Sequence, residues 1–212
     1  MPKYIDLTLT YHPEMPGVAF DTARTLEKDG WNAKTLHLYS HAGTHMDASL
    51  HFGVAGPTID QTPLESCIGP AWVINLAGIA PKSLIKVSDL GEVAHSLQPD
   101  DSLLLMTGWS RYLHEEKYRN ELPRISEELA RWCAEKKVKM LGVEPPSVAD
   151  VNNLEDVTRI HKILLGAGVT IVEGLTNLDK LTQKKVTFMA LPLKIAEGDG
   201  APARAIAIED DH

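Results

Sequence analysis

Apolar and polar residues alternate along YIDLTLTY, where Ile5, Leu7 and Leu9 share one face, the period-two signature of a half-buried strand. The same period returns in AKTLHLYS, with Leu36 and Leu38 on one face and His37 on the other. Residues 11–32 between them are rich in Pro, Gly and Asp and predict a loop. AWVINLAG, DSLLLMTGW, VKMLGVE, VTIVEGL, VTFMALPLKI and ARAIAIE predict further strands; Gly108 gives the second of these a sharp exit, and the third runs into Pro145 and Pro146.

Helical spacing appears in three places. VSDLGEVAHSL carries a stripe at Leu90, Val93, Ala94 and Leu97 behind Ser88 as a candidate N-cap. ISEELARWCAEKK places Ile125, Leu129, Trp132 and Cys133 on one face, with acids first and lysines last, as the helix dipole prefers. LEDVTRIHKILLGAG is closed by Gly166 or Gly168. Strands outnumber helices, yet helices fall between several of them, so an α/β or α+β layered domain is expected rather than a sandwich. At 212 residues, one domain spanning 1–212 is the expected organisation.

Bulk properties narrow the partners. A formal net charge of −8 argues against a nucleic-acid or anionic-membrane partner, since a phosphate-binding surface needs a basic excess. No apolar run approaches the roughly 18 residues that span a bilayer. The N-terminal MPKYIDLTLTYHPEMPG lacks the basic start and apolar stretch of a signal peptide. Cys67 and Cys133 are too few and too far apart for a disulfide framework. A reducing cytoplasm is the expected setting.

The chemistry is concentrated in HAGTHMDASLHF, residues 41–52. His41, His45, Asp47 and His51 would all face one way on a continuous strand, but at ~3.3 Å per residue His41 and His45 would stand ~13 Å apart. A helix would bring those two together and swing Asp47 roughly 240° away from His41. A strand bent sharply at Gly43-Thr44 reconciles the set, with Gly43 taking a positive φ and the Thr44 side chain bonding nearby backbone. Mixed imidazole and carboxylate donors suit a borderline divalent ion such as Zn²⁺, Mn²⁺ or Fe²⁺, not Ca²⁺ with its all-oxygen shell. Without cysteine ligands, the site would be catalytic rather than structural.

HAGTHMDASLH fits every fixed position of a His-x-Gly-Thr-His-x-Asp-x-x-x-His hallmark, and the likeness continues in LLLMTGW, IHKILLGAGVTIVEGLTNL and FMALPLKIAEGDGAPARAIAI. On these stretches the chain resembles the metal-dependent cyclase family of hydrolases, which includes bacterial kynurenine formamidase and isatin hydrolase. The resemblance implies an α/β, swivelling β/β/α fold with helices packed around a mixed barrel-like sheet. It implies two divalent ions per chain, Zn²⁺ or Mn²⁺, with His41 and His45 as ligands of the first and His161 of the second. Asp47 and Glu173 would bridge the two ions, and His51 would be the catalytic acid/base. Taken singly, His161 would read as a helix-surface residue and Glu173 as a strand-end acid.

Two departures bear on substrate. Ser49 stands where the family commonly has proline, which alters loop stiffness and no ligand. Kynurenine formamidases resemble one another in a tryptophan on a W-P-G-D-like loop; here PEMPGVAFDTA has none, leaving Phe20 as the candidate substrate contact. Isatin hydrolases tend to carry glutamine where Glu173 stands. The expected activity is hydrolysis of a formamide or small cyclic amide. The alternatives are an isatin-hydrolase-like or other ring-opening or cyclase enzyme with one metal, and a metal-dependent ligand-binding protein without turnover, against which His51 argues. Family members are homo-oligomers, so a dimer or tetramer is expected here. His12, His37, His95, His114 and His212 are left structural.

Overall fold

The computed structural model describes residues 1–210, so His212 lies outside the described residues. Its organising element is a ring of seven strands. In ring order these are β12 (Gly200–Glu209), β11 (Lys185–Pro192), β5 (Ile68–Asn75), β7 (Ser102–Met106), β9 (Met140–Val143), β10 (Thr170–Glu173) and β4 (His45–Asp47), and β4 returns to β12. β5, β7, β9 and β10 run parallel to one another; every pairing that involves β4, β11 or β12 is antiparallel. β12 is long enough to serve two neighbours on one edge: β4 pairs with residues 200–202, and β1 (Lys3–Asp6) pairs with residues 206–209. The expected mixed barrel-like sheet with packed helices is what the chain forms.

Alternation along the ring strands explains its two cores. Leu104, Met140, Val172, Phe188 and Met46 point into one cluster enclosed by the ring; Leu103, Leu105, Leu141 and Ile171 point the other way. That outer face is covered by α4 (Glu127–Glu135) and α5 (Leu154–Gly166), which contribute Leu129, Cys133, Ile160 and Leu164. Burial on both faces is why SLLLM and MLGV read as continuous apolar runs. In β12, Ala203, Ala205 and Ala207 face the interior while Ile206 and Ile208 are only half-buried. A seven-stranded ring already filled by Met46 and Phe188 has room there for methyl groups and not for isoleucines.

The structure corrects three sequence expectations. Residues 11–32 are not all loop: β2 (Val18–Arg24) pairs with β3 (Ala33–Leu38) in an antiparallel ribbon, with a one-turn helix α1 (Leu26–Asp29) between them. Only Val18 is buried and Phe20 half-buried in β2, while Asp21–Arg24 and most of β3, Leu36 included, are exposed, so burial sets no period over the greater part of β2. The helix expected over VSDLGEVAHSL is broken, because Gly91 adopts φ 56° and ψ −132°. A 3₁₀ turn over Val87–Leu90 precedes it and one turn of helix, α2 (Val93–Ser96), follows. Ser88 is not the cap; Asp89 instead accepts from the Lys86 backbone N–H at 2.7 Å. Leu90 and Leu97 are nonetheless buried. The remaining elements are α3 (Lys117–Asn120) and the two-residue pair β6 (Leu84–Ile85) and β8 (Arg124–Ile125), so Ile125 lies before the Ser126 N-cap rather than in α4.

Glu209 ties the C-terminal end of β12 to β1 and to the segment before β11. Its buried carboxylate accepts from Lys3 Nζ at 3.0 Å and from the Gln183 backbone N–H at 2.8 Å, along with the Thr182 N–H and hydroxyl. Burial pushes its pKa up, but these donors outweigh it and hold the carboxyl down at about 2. A depressed folded-state pKa stabilises above the unfolded value near 4.3 and is lost as pH falls toward 2. Glu209→Gln should therefore cost about 2 kcal/mol at pH 7, with the gap to wild type closing between pH 4 and 2 in urea titrations. A pH-independent gap would refute this reading. Among the described residues, both cysteines are free and buried, and no helix is long and apolar enough to cross a membrane.

Candidate metal centre

Strand register assembles the centre. β4 lies between β10 and β12, so His45 stands opposite Glu173 on one side and Pro202 on the other, and Asp47 stands opposite Gly200. The bend expected at Gly43-Thr44 is present, with Gly43 at φ +59°. Gly174, at φ +67°, crosses it so closely that a Cβ there would lie 2.3 Å from the Gly43 carbonyl oxygen. Thr44 staples the crossing: its hydroxyl donates to Gly174 O at 2.6 Å and accepts from the Leu9 N–H at 2.8 Å. The expectation of a nearby backbone partner gives way to two partners distant in sequence, because three chain segments meet at this one residue.

His161 arrives from α5, which packs back over the sheet against β10. Its Nε2 stands 3.5 Å from Asp47 Oδ2 and 3.4 Å from Glu173 Oε1. His45 Nε2 lies 3.2 Å from Glu173 Oε2 and 3.6 Å from Asp47 Oδ1. His41 Nδ1 approaches Asp47 Oδ1 at 2.9 Å. His51 sits on a 3₁₀ turn (Ser49–Phe52), its ring stacked on that of His41 at 3.8 Å. Its side chain is 24% exposed, against 1–7% for His41, His45, Asp47, His161 and Glu173. The sequence-derived set therefore converges, five groups forming a buried cradle and His51 facing outward over it.

The protonation pattern asks for positive charge. His45 Nδ1 lies 2.9 Å from Gly43 O, and His161 Nδ1 lies 2.7 Å from Val157 O. A carbonyl only accepts, so each Nδ1 carries the proton and each Nε2 faces carboxylate oxygens with whatever it then holds. Burial disfavours charging these rings, yet Glu173 and Asp47 draw both pKa values upward. Burial likewise pushes Glu173 up, and the His161 and His45 imidazoles overcome it and leave its carboxyl lowered. Asp47 Oδ2 is buried with no hydrogen-bond partner, a costly state for a carboxylate oxygen unless a cation faces it. Three donor triads have ligand atoms within 4.8 Å of one another: His41–His45–Asp47 and Asp47–His161–Glu173 in the buried cradle, and the half-buried His41–His51–Asp199 at its rim. The nitrogen and oxygen donors and the orphaned oxygen fit a divalent transition ion.

Other residues fall as follows. Phe20 lies on the ribbon, half-buried against the cluster of Leu9, Met15, Val18 and Ala42, with Lys34 Nζ 5.3 Å from its ring centroid. The cavity that opens beside His41, of about 430 Å³, is lined by Met15, Tyr39, Leu113 and Tyr118 and not by Phe20. His37 pairs with Asp21 at 2.6 Å on the exposed ribbon, and the His12 and His114 rings lie 5.5 Å apart. Asp199 was missed: its Oδ2 is 3.0 Å from His41 Nε2 and 3.8 Å from His51 Nδ1. The GDG triplet holding it was the available signal.

A closed mixed barrel with two buried carboxylates and three imidazoles at one edge, and a fourth imidazole above them, defines an α/β protein with a candidate metal centre. Residues 5–150 match the family model described as putative cyclase. Curated relatives include kynurenine formamidases of Erythrobacter litoralis, 31% identical over 96% of this chain and 93% of the relative, and of Bacillus cytotoxicus, 29% identical over 96% of each. Among solved structures, isatin hydrolase A from Ralstonia solanacearum superposes with a TM-score of 0.88 at 24% identity, covering 99% of this chain and 92% of that one. A predicted metal-dependent hydrolase from Bacillus stearothermophilus does so at 0.80 and 26%, covering 99% and 100%. The chain belongs to the cyclase family.

Proposed function

We propose that this chain is a divalent-metal-dependent amidohydrolase that opens a formamide or small cyclic amide, with His51 as its general acid/base. The observation that carries the reading is the orphaned Asp47 Oδ2 at the centre of the cradle, with a partly exposed imidazole stacked over its rim. His41, His45 and Asp47 would hold one ion, and Asp47, His161 and Glu173 a second. The two Glu173 oxygens face different histidines, as a bridging carboxylate requires. Zn²⁺ and Mn²⁺ both suit this donor set. When bound, such ions supply Lewis-acid polarisation and make water acidic enough to ionise near neutrality.

The chain's own residues do the rest. His51 accepts a proton from the attacking water as the new C–O bond forms. It then returns that proton to the amide nitrogen as the C–N bond breaks, leaving a carboxylic acid and an amine. The side chain's partial exposure lets it meet substrate entering from solvent. The cavity beside His41 offers apolar walls for the body of the amide. The names of the curated relatives support an N-aryl formamide as substrate. The presence of a carboxylate at Glu173 favours two ions over the one-metal, isatin-type alternative.

Stripping metal with a chelator and reloading with Zn²⁺ or Mn²⁺ tests the reading directly. Hydrolysis of N-formyl-L-kynurenine with kcat/KM above ~10⁴ M⁻¹s⁻¹ is expected on reloading, and chelation should abolish it. Turnover of isatin instead would move the substrate to cyclic amides. A protein that takes up neither ion would sink the proposal.

A further inference from the structure

The three cradle histidines are held from behind in different ways. For His45 and His161 the outer nitrogen is pinned by a backbone carbonyl, Gly43 O and Val157 O. For His41 the outer partner is a side chain, with Nε2 3.0 Å from Asp199 Oδ2. Asp199 supplies the only carboxylate within 4 Å of a His51 ring nitrogen among the described residues, at 3.8 Å. One oxygen thus serves both the stacked rings, the ligand and the acid/base.

The segment carrying Asp199 is shaped to bring it there. Register places Gly200 opposite Asp47, and the Ala48 N–H donates to Asp199 O at 2.9 Å, so this stretch is tied to the far end of β4. Neither flanking glycine has room for a side chain. A Cβ on Gly200 would lie 2.6 Å from His41 Cε1 and 2.7 Å from Met46 O; one on Gly198 would lie 2.6 Å from Ile59 Cγ2. Gly200 lets the chain lie against the His41 ring, and Gly198 lets it pass Ile59 on the other side of the aspartate.

We propose that Asp199 is a positioning residue of the reaction centre, orienting His41 toward the cradle and steadying His51 above it. A carboxylate accepts from His41 Nε2–H and thereby sets the tautomer, leaving the Nδ1 lone pair aimed to the Asp47 side, where an ion would be held. The stack of His51 on His41 transmits that orientation, so tilting one ring displaces the other. This inference rests on the metal-dependent reading above and adds to it a residue that would touch neither metal nor substrate.

Asp199→Asn and Asp199→Glu test it by two readouts. Competition of the apo-protein against a chromophoric chelator for Zn²⁺ measures the effect on His41 without any substrate. Asparagine should weaken Zn²⁺ binding about 10–100-fold and glutamate should restore part of it. At saturating Zn²⁺, kcat on N-formyl-L-kynurenine should still fall about tenfold with KM unchanged, and Asp199→Asn should add little in a His51→Gln background. Unchanged affinity and kcat in Asp199→Asn would overturn the proposal. So would a loss of one equivalent or more of Zn²⁺, as expected of Glu173→Gln, which would make Asp199 a ligand. Failure of the wild-type protein itself to bind Zn²⁺ would overturn the metal reading instead, and this inference with it.

Discussion

Glutamine in place of His51 should lower kcat by about 10²–10⁴-fold, the usual worth of a positioned general acid/base, and should leave the metal content nearly unchanged. The structure separates the two effects. His51 stands outside the buried cradle, 24% exposed, on a 3₁₀ turn that follows β4 rather than within the strand. Glutamine preserves much of the volume stacked on His41 and leaves His41, His45, Asp47, His161 and Glu173 with their own partners. KM should stay within a few-fold, because the loss falls on a proton transfer rather than on binding. Steady-state kinetics together with elemental analysis of the same preparation give the answer. Loss of metal alongside activity would make His51 a ligand, and intact turnover would remove it from the reaction.

Glu173→Gln has the opposite signature. Both oxygens of this carboxylate are committed, Oε1 toward His161 and the Val148 N–H at 2.7 Å, Oε2 toward His45. The amide keeps one acceptor for Val148 but replaces the other oxygen with an NH₂ group that cannot ligate a cation. Two imidazoles would then face a site with one carboxylate, and the charge that balances a second ion is gone. Metal content should fall by at least one equivalent, and activity by about 10³-fold or more, beyond the 10–100-fold typical of disturbed outer partners. Far-UV circular dichroism should remain native, since the barrel strands keep their ladder. Elemental analysis after gel filtration reads the first effect. A variant that retains both its ions and its rate would show that Glu173 is a structural acid, as its strand-end position alone would suggest.

How much of this could be read along the chain depends on the range of the forces involved. Strands buried on one or both faces announced themselves, because burial writes a period into the sequence: Ile5, Leu7 and Leu9 are all buried, as are Leu103, Leu104 and Leu105. The ribbon strand β2 carries a buried or half-buried side chain only at Val18 and Phe20 and is exposed from Asp21 on, too short a burial to write a period. The break at Gly91 is masked by the apolar stripe around it, since Leu90 and Leu97 are buried whether or not one helix joins them.

The same division runs through the site. The spacing of His41, His45 and Asp47 around a glycine excluded a plain strand and a plain helix by geometry alone, and the bend at Gly43 is where those exclusions put it. His161 and Glu173 entered only through resemblance, and what joins them to the cradle is β4–β10 register and the packing of α5 over the sheet, which local spacing does not encode. Asp199 is the extreme case, 158 residues from His41 in sequence and adjacent to it because β12 returns to close the ring against β4. By itself the sequence determined the donor types, the bend among them and the strands that bury their faces, since these follow from chemistry and contacts within a dozen residues. Only the tertiary structure decided which distant groups share the cradle, which imidazole stays outside it and which carboxylate stands behind, because ring closure brings together segments that no local interaction connects.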